Sequence, residues 1–374
     1  MADVQGYLNN YRFFGLFQSN SEDIEKNIIL LSNKNPENKI QPNKNYLAFI
    51  NYDYKNTIEQ FPEKHNNPLN FPQQLLIEIE KTVPLHEVNL NIESDTVSTI
   101  RVQAKVTKEE YVQHVNALKQ HIQKGDIYEI NYCITFEAHE ATINPLSLYQ
   151  KLNNISHAPY AALIKLNDLF IISSSPELFL EKRNQTLYTK PIKGTAKRGL
   201  THNEDLAIKE ALRINLKERT ENVMIVDVAR NDLSRIAEKG TVVVDKLFDI
   251  ESYQQVHQMV STVSCQLKDN TSFNDVLKAT FPMASMTGAP KIRAMELIDQ
   301  YEVYNRGPYS GALGYIKENG DFNLSVLIRS IFYNQDKKYL SFTVGSAITA
   351  MCNPEDEYEE CLLKAKAMMQ VLGG

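Results

Sequence analysis

The feature that most constrains the fold is a change in the spacing of apolar residues near position 126. Up to Gly125 they recur at helical spacing, behind Thr107-Lys-Glu-Glu110, which has the residue types of a capping box. From Tyr128 to Phe136 every second residue is aromatic or β-branched, which is the period of a strand. The sequence therefore predicts a capped helix followed directly by a long strand.

The rest of the chain continues this mixture without strict alternation of strands and helices. Further strand patterns lie at 161–165, 169–173, 178–182, 185–190, 241–244 and 254–267. Helical patterns cover 203–232 in two pieces, 272–281, 290–301 and 353–372. Asn319-Gly320 between two strand-like runs indicates a hairpin. Long strands in hairpins mixed with helices favour an α+β fold over a doubly wound one.

Composition narrows the classes of function. The formal net charge of -6 gives little reason to expect a nucleic-acid partner, which usually requires a basic face. The four cysteines form no CxxC pair, so neither a zinc site nor a disulfide framework is expected. The N-terminus resembles no signal peptide, and no apolar run reaches the ~18–20 residues of a membrane helix. We therefore predict a soluble, cytoplasmic protein that binds no membrane.

Two acidic pairs are candidates for metal binding. Glu218 and Glu221 are three residues apart on one predicted helix, and Glu357 and Glu360 repeat that spacing on the last helix. If the two helices face each other, the four carboxylates make an all-oxygen site suited to Mg²⁺. Spacing alone also allows two solvated helix faces.

Lys193 is a candidate nucleophile or anion contact, because Pro191 and Gly194 place it on a constrained turn. A free lysine amine has a pKa of about 10.4, so a nucleophile near neutrality requires a fall of roughly 3 units. An exposed turn lysine is the alternative.

Four further places could contact a ligand. Thr287-Gly-Ala-Pro-Lys291 precedes a helix and could hold a carboxylate, or be a plain helix start. Gly345-Ser-Ala347 could bring backbone amides to a ligand, or form a bulge. Arg329 in an apolar strand must face a cavity or an internal acid. His257 is a pocket residue or a core histidine.

In order along the chain, these segments resemble the chorismate-binding enzymes, which include anthranilate, aminodeoxychorismate, isochorismate and salicylate synthases. The matching segments are Ser175-Pro-Glu-Leu-Phe179, Pro191-Ile-Lys-Gly-Thr195, 221–233, 256–261, Thr287-Gly-Ala-Pro-Lys291, 311–315, Ile328-Arg329 and Glu357-Tyr-Glu-Glu360. The resemblance implies two large facing, mostly antiparallel β-sheets flanked by helices, with chorismate and Mg²⁺ between them. It assigns residues 101–374 to the catalytic region and 1–100 to an N-terminal part packed on the same body.

The resemblance also implies roles for residues. Glu221 and Glu360 would bind the metal, with Glu218 and Glu357 acting beside them through water. The enolpyruvyl carboxylate would be bound by Tyr315, Arg329 and the amides around Gly345. The other positions implied to line the substrate pocket are His257, Thr287, Lys291 and Ser346.

Two positions separate the branches of the family. Lys193 resembles the aminodeoxychorismate synthases, component I, whereas anthranilate synthases carry Ala there. In the former branch the lysine amine adds at C2 of chorismate, Glu177 protonates the departing C4 hydroxyl, and ammonia then attacks C4. Glu129 departs from the Gln of most amine-using relatives, and from the water-activating lysine of isochorismate synthases. Other departures, at Met283-Ala284 and Ser346-Ala347, replace glycine.

Further expectations follow from the resemblance. Ammonia would come from a separate glutamine amidotransferase subunit, and the product would lead to 4-aminobenzoate and folate. Anthranilate synthase component I is the alternative within the family. A binding module without catalysis is disfavoured because Glu177, Lys193 and both acidic pairs are present.

Overall fold

The computed structural model describes residues 2–20, 26–61, 67–90 and 99–373. In these ranges the strands are β1 (Ala2–Asp3), β2 (Phe13–Gln18), β3 (Ile28–Ser32), β4 (Tyr46–Ile50), β5 (Gln74–Glu78), β6 (Lys81–Pro84), β7 (Val88–Asn89), β8 (Gln103–Ala104), β9 (Glu129–Ala138), β10 (Tyr160–Leu166), β11 (Leu169–Ser175), β12 (Leu178–Arg183), β13 (Thr186–Lys190), β14 (Ile192–Lys197), β15 (Val243–Ser252), β16 (Val256–Gln266), β17 (Gly288–Ala289), β18 (Ala312–Ile316), β19 (Phe322–Val326), β20 (Ser330–Asn334) and β21 (Tyr339–Ile348).

The helices of the same ranges surround these strands. They are α1 (Val4–Asn10), α2 (Lys55–Glu59), α3 (Lys108–Gln123), α4 (Pro145–Ser156), α5 (His202–Ile214), α6 (Leu216–Ser234), α7 (Phe273–Thr280), α8 (Lys291–Tyr301) and α9 (Pro354–Val371). None of the helices described is both long and apolar enough to cross a lipid bilayer.

Two large sheets form the body of the protein. The first runs in the order β17-β9-β21-β20-β11-β10-β2-β3-β6, and β8 pairs with β9. The second runs β14-β16-β13-β12-β19-β18-β4-β5, and β15 pairs with β16. Neighbouring strands in both are antiparallel, as in β9 with β21 and β13 with β16. The predicted α+β fold with two mostly antiparallel sheets is confirmed.

Strand β10 shows how the first sheet is buried on both faces. Ala162 and Ile164 belong to the apolar cluster shared with the second sheet. Ala161 and Leu163, which point the other way, belong to a second cluster with helices α3, α4, α8 and α9. The two sheets therefore face each other, and helices cover the outer face of the first.

Strands from the first 100 residues enter both sheets. β2, β3 and β6 extend the first sheet beyond β10, and β4 and β5 extend the second beyond β18. The boundary drawn at residue 100 stays a prediction.

Local signals fix the ends of several helices. The Thr107 side chain accepts a hydrogen bond from the Glu110 amide, and Glu110 accepts one from the Thr107 amide, which confirms the capping box of α3. Asn215 ends α5 and caps α6 by accepting from the Glu218 amide at 3.2 Å. Asn353 caps α9. Helix α6 therefore begins two residues before Glu218, and helix α9 begins three residues before Glu357.

Candidate active site

Lys193 lies on a β-bulge rather than on a turn. It belongs to β14, whose pairing with β16 shifts register between Ile192 and Thr195, so Lys193 and Gly194 fall inside the shift. Gly194 adopts a φ of 83°, and a side chain there would approach Glu218 to 3.0 Å. The bulge re-aims the lysine out of the regular alternation of the strand and brings it beside α6.

The ammonium group of Lys193 contacts the carboxylate of Glu129, the first residue of β9 in the opposite sheet. The two side chains are 10% and 1% exposed, so this ion pair links the two sheets in a sheltered place. Within the described residues, Oε2 of Glu129 is buried without a hydrogen-bond partner. Because a buried carboxylate oxygen without a donor is costly, a ligand that donates a hydrogen bond to it would be favoured here.

The electrostatics of Lys193 differ from those of a typical nucleophilic lysine. Burial would lower its pKa, but the carboxylates of Glu129, Glu221 and Glu177 raise the pKa of Lys193 above its usual range. The lowered pKa that a nucleophilic lysine requires is therefore absent in this arrangement, chiefly because the Glu129 carboxylate lies beside the amine. At neutral pH the amine is protonated, so a covalent role requires that the proton first move to a neighbour.

Glu177 is placed and tuned for proton donation beside Lys193. Its Oε1 accepts hydrogen bonds from the Ile192 amide at 3.2 Å and from the Ser285 hydroxyl at 2.9 Å. Burial raises the pKa of Glu177 to about 7. Near neutral pH a large fraction of this carboxyl is protonated, which is the state that a general acid needs.

The two acidic pairs lie near each other, where α6 meets α9. Glu221 on α6 and Glu357 on α9 are both buried, and the Lys217 ammonium lies between them. Its Nζ is 3.2 Å from Glu357 and 4.0 Å from Glu221. Glu360 pairs with Lys364 at 2.6 Å. Burial raises the pKa of Glu218, and the negative charge of Glu360 raises it further.

The composition of this group fits a hard divalent cation. Burial raises the pKa of Glu221 to about 7, and its Oε1 is buried without a hydrogen-bond partner in the described part of the chain. An unpartnered carboxylate oxygen among other carboxylates is the donor type that Mg²⁺ prefers. In this arrangement, however, no three His, Cys, Asp or Glu residues of the described ranges form a ligand cluster. Lys217 supplies the positive charge that they share.

Arg329 lies near Glu360 of this acidic group. Burial lowers the pKa of Arg329, and the nearby Tyr309 and Glu360 offset part of that effect. Its guanidinium donates to the Lys364 carbonyl at 3.3 Å, and no carboxylate of the described residues lies within ion-pair distance of it. A half-buried guanidinium without a paired acid can hold a ligand carboxylate.

Gly345 and Ser346 are close by but already engaged. The Gly345 carbonyl accepts from Lys364 at 2.8 Å, and a side chain at Gly345 would meet the Cys133 sulfur at 2.5 Å. The Ser346 hydroxyl shares a 2.7 Å hydrogen bond with the Tyr111 hydroxyl. Gly345 is thus needed for the close approach of β21 to β9.

Three other predicted pocket residues have protein partners of their own. His257 bonds to Asp205 at 3.0 Å and to Ser252 at 2.8 Å, which is the environment of a core histidine. Lys291 donates hydrogen bonds to the Asp232 carboxylate and to the carbonyls of Thr280 and Pro282. The Thr287 hydroxyl donates to the carbonyls of Ala284 and Met283. For all three, the contacts support the local structure, and their substrate roles stay predictions.

Tyr315 does not join Arg329. Its ring packs edge to face on Phe17 with 5.6 Å between centroids, and it lines a cavity with Lys26 and Glu181. The tyrosine near Arg329 is Tyr309, which is 3% exposed. The resemblance assigned the substrate role to Tyr315, and that role stays a prediction.

Sequence reasoning also passed over Lys217 and Ser285. Lys217 could have been found, because it precedes Glu221 by one helical turn and must lie on the same face. Ser285 lies in a short 3-10 helix (Ala284–Met286) before β17, and no local pattern connects it with Glu177.

Together these side chains define a class of enzyme. A protonatable acid, a buried lysine–glutamate pair, four carboxylates of α6 and α9 and an arginine without a paired acid among the described residues influence one another electrostatically. Such a site suits a small polyanionic substrate that undergoes proton-assisted substitution at a cation-assisted centre.

Known proteins agree with this class. The family described as chorismate binding enzyme matches residues 8–370. Aminodeoxychorismate synthase of Streptomyces griseus is 41% identical over 282 residues, 75% of this chain and 38% of that protein. Anthranilate synthase component 1 of Acetivibrio thermocellus is 38% identical over 277 residues, 73% of this chain and 55% of that protein. The structure of anthranilate synthase component I from Streptococcus pneumoniae TIGR4 aligns with a TM-score of 0.76 at 26% identity, covering 89% of this chain and 82% of that one.

The chain belongs to the chorismate binding enzyme family. It spans less than two thirds of the length of either curated relative.

Proposed function

We propose that this chain is the aminating component of an aminodeoxychorismate synthase, which converts chorismate and ammonia to 4-amino-4-deoxychorismate. The observation that carries the proposal is the position of Lys193, set on a bulge between the carboxylate of Glu129 and the protonatable Glu177. The similarity to aminodeoxychorismate synthase supports the same choice.

The chemistry assigned to these residues proceeds in two substitutions. Glu129 takes a proton from the Lys193 ammonium, which frees the electron pair of the amine. The amine then forms a bond to C2 of chorismate, the ring double bonds shift, and the C4–O bond breaks while Glu177 donates its proton to the departing hydroxyl, giving water. Ammonia next forms a bond to C4, the double bonds shift back, and the C2–N bond to Lys193 breaks.

The proposed cofactor is Mg²⁺. Glu221 and Glu360 would hold it, with Glu218 and Glu357 beside them, and the buried unpartnered oxygen of Glu221 supports this assignment. When bound, the ion supplies electrostatic stabilisation of the ring carboxylate and of the charge that develops as the hydroxyl leaves. Arg329 would pair with the enolpyruvyl carboxylate.

We place the chain in 4-aminobenzoate and folate synthesis, in the cytoplasm. Ammonia would be supplied by a glutamine amidotransferase, and a separate lyase would convert the product to 4-aminobenzoate. These assignments go beyond family membership. They rest on the resemblance of the segment around Lys193 to the aminodeoxychorismate synthases.

Anthranilate synthase component I is the second candidate. The raised pKa of Lys193 favours it, because a lysine that stays protonated cannot add to C2. Ammonia would then attack C2 directly, and Lys193 would serve as a fixed positive charge.

Identification of the product distinguishes the two candidates. Purified chain, chorismate, Mg²⁺ and ammonium salt are incubated, and products are analysed by mass spectrometry with and without an added aminodeoxychorismate lyase. We expect aminodeoxychorismate alone, and 4-aminobenzoate when the lyase is present. Fluorescent anthranilate formed without the lyase would establish the second candidate, and unchanged chorismate would reject both.

A further inference from the structure

One flexible cation lies at the centre of the four carboxylates. Lys217, in the first turn of α6, places its Nζ 3.2 Å from Glu357 and 4.0 Å from Glu221, and so bridges α6 and α9. Its charge also acts to lower the pKa values of Glu218 and Glu360, although burial has the larger effect on each. Lys217 is thus the neighbour of every carboxylate to which the metal site was assigned.

The ion pairs of Lys217 leave one oxygen unsatisfied. Glu221 is 6% exposed, and its Oε1 has no hydrogen-bond partner in the ranges described, because 4.0 Å exceeds the length of a hydrogen bond. This buried oxygen is aimed at the place where the acidic side chains meet. It points to a second, closer cationic ligand for the same group.

The lysine differs from the acids in mobility. Its side chain is 52% exposed, whereas those of Glu221 and Glu357 are 8% and 4% exposed. An ammonium on an exposed four-carbon stem is well hydrated when it moves into water, and the buried carboxylates keep a partner if another cation takes its place. The carboxylates are fixed by the helices, but the cation between them is not.

We propose that Lys217 competes with a divalent cation for the oxygens of Glu221 and Glu357, and that it moves into solvent when the cation binds. This inference rests on the proposed magnesium site. The two positive groups repel each other and need the same oxygens, so they exclude each other. The competition keeps the affinity for the metal alone low and couples tight binding to the arrival of the substrate carboxylate, which adds an anionic ligand.

The test compares metal binding by the full chain and two lysine variants, without chorismate. Mn²⁺, which also prefers oxygen ligands, is titrated and free Mn²⁺ is followed by electron paramagnetic resonance. We expect Lys217→Met to bind Mn²⁺ about tenfold more tightly than the unmodified chain, since removing the competitor both frees the carboxylates and ends the repulsion. Lys239→Met is the matched control, because this exposed lysine follows the far end of α6, whose last residue lies ~26 Å along the helix axis from Lys217. Its affinity should not change.

A charge-retaining variant separates competition from side effects. Lys217→Arg should bind Mn²⁺ as weakly as the unmodified chain. The proposal is overturned if Lys217→Met binds with equal or weaker affinity, if Lys217→Arg binds as tightly as Lys217→Met, or if the unmodified chain binds no Mn²⁺. Because no substrate is present, these outcomes are independent of the product analysis. Lys217 could compete with the metal in a chain whose product is anthranilate, and it could fail to compete in a chain that makes aminodeoxychorismate.

Discussion

Two buried ion pairs in the described part of the chain, Arg306 with Glu302 and Lys193 with Glu129, are built in opposite ways. Arg306 and Glu302 lie where the end of α8 meets β9, and their side chains are each 1% exposed. Lys193 and Glu129 lie between the edges of the two sheets and are 10% and 1% exposed. Burial is similar, so the difference between the pairs lies in the partners of their atoms.

The Arg306 pair is saturated with hydrogen bonds. The guanidinium donates to both oxygens of Glu302, at 2.9 and 2.7 Å, and to the carbonyls of Met286 and Asn131. Glu302 accepts a further bond from the Cys133 amide at 3.1 Å. Such a pair joins three chain segments and leaves nothing for a ligand, which is the pattern of a structural contact.

The Lys193 pair is left incomplete. One oxygen of Glu129 has no partner among the described residues, and further acids lie close enough to raise the pKa of the lysine. Incomplete polar groups in a sheltered cleft cost stability and are retained where a ligand completes them. The comparison teaches that saturation, more than burial, separates a structural ion pair from a reactive one.

The largest expected effect comes from breaking the saturated pair. Arg306→Met leaves Glu302 charged and buried together with two unpaired carbonyls, so we expect the free energy of unfolding to fall by roughly 3–5 kcal/mol. Urea denaturation followed by circular dichroism measures this change. A loss below about 1 kcal/mol, the value of a surface pair, would contradict the structural role.

The incomplete pair should lose activity instead of stability. We expect Lys193→Met to reduce aminodeoxychorismate formation by about 10³-fold, or ~4 kcal/mol of transition-state stabilisation. Its free energy of unfolding should fall less than that of Arg306→Met, because the Lys193 ammonium has one hydrogen-bond partner among the described residues, whereas the Arg306 guanidinium has several. Initial rates and urea denaturation are measured on the same preparations.

Lys190→Met is the control for this variant. Lys190 ends the neighbouring strand β13, is 37% exposed and lies 3.7 Å from Glu251. Its removal should leave the rate unchanged. A Lys193→Met enzyme that keeps the normal rate and product would exclude the covalent role.

Glu177 should show a smaller effect with a distinct dependence on pH. Glu177→Gln keeps an acceptor for Ser285 but cannot donate a proton, so kcat should fall by about 10²-fold. In the unmodified enzyme the acid is active below its pKa of about 7, so activity should fall as pH rises through 7. The variant should lack this fall. An unchanged pH profile in the variant would assign the titration to another group.

The same substitution should increase stability at alkaline pH. The folded-state pKa of Glu177 exceeds its ordinary value of 4.5, so the folded protein binds more protons than the unfolded chain between pH 4.5 and about 7. Stability from this group is therefore lost as pH rises through that window. Glu177→Gln should be about 1–3 kcal/mol more stable than the unmodified chain at pH 8, as measured by urea denaturation. Equal stability at pH 8 would contradict the raised pKa.

Much of the fold could be predicted because its signals are local. The capping box of α3, the break between α5 and α6 at Asn215 and the long strand β16 each depend on residues that are neighbours in the sequence. The bulge at Lys193 could not be predicted, because it exists only in the pairing of β14 with β16. The flanking Pro191 and Gly194 indicated a turn, because proline and glycine are common in turns. The same residue types are also found at β-bulges.

The residue types of the site could be predicted from the sequence, but most of the contacts between them could not. Spacing placed Glu218 and Glu221 on one helix face, but only the resemblance indicated that α9 would meet that face. Sequence could not show that Lys217 lies between the carboxylates or that His257 is held by Asp205. Those contacts depend on the packing of α5, α6 and α9, which are distant in sequence from their partners.

The smallest expected effect tests the cause of the raised lysine pKa. Glu129→Gln removes the nearest negative charge from Lys193, so the pKa of the amine should fall by about one unit, and the unprotonated fraction at neutral pH should rise about tenfold. Cyanate reacts only with the unprotonated amine, and carbamylation of Lys193 is measured by peptide mass spectrometry. The rate should therefore rise about tenfold in this variant.

Glu302→Gln provides the matched substitution in the saturated pair. It should weaken the hydrogen bonds to Arg306 and lower stability by roughly 1.5–3 kcal/mol, but leave the carbamylation rate of Lys193 unchanged. If Glu129→Gln also left that rate unchanged, the charge of Glu129 would not be what keeps Lys193 protonated. The proton transfer from Lys193 to Glu129 would then lose its support, because an acid that does not influence the lysine pKa is not positioned to take its proton.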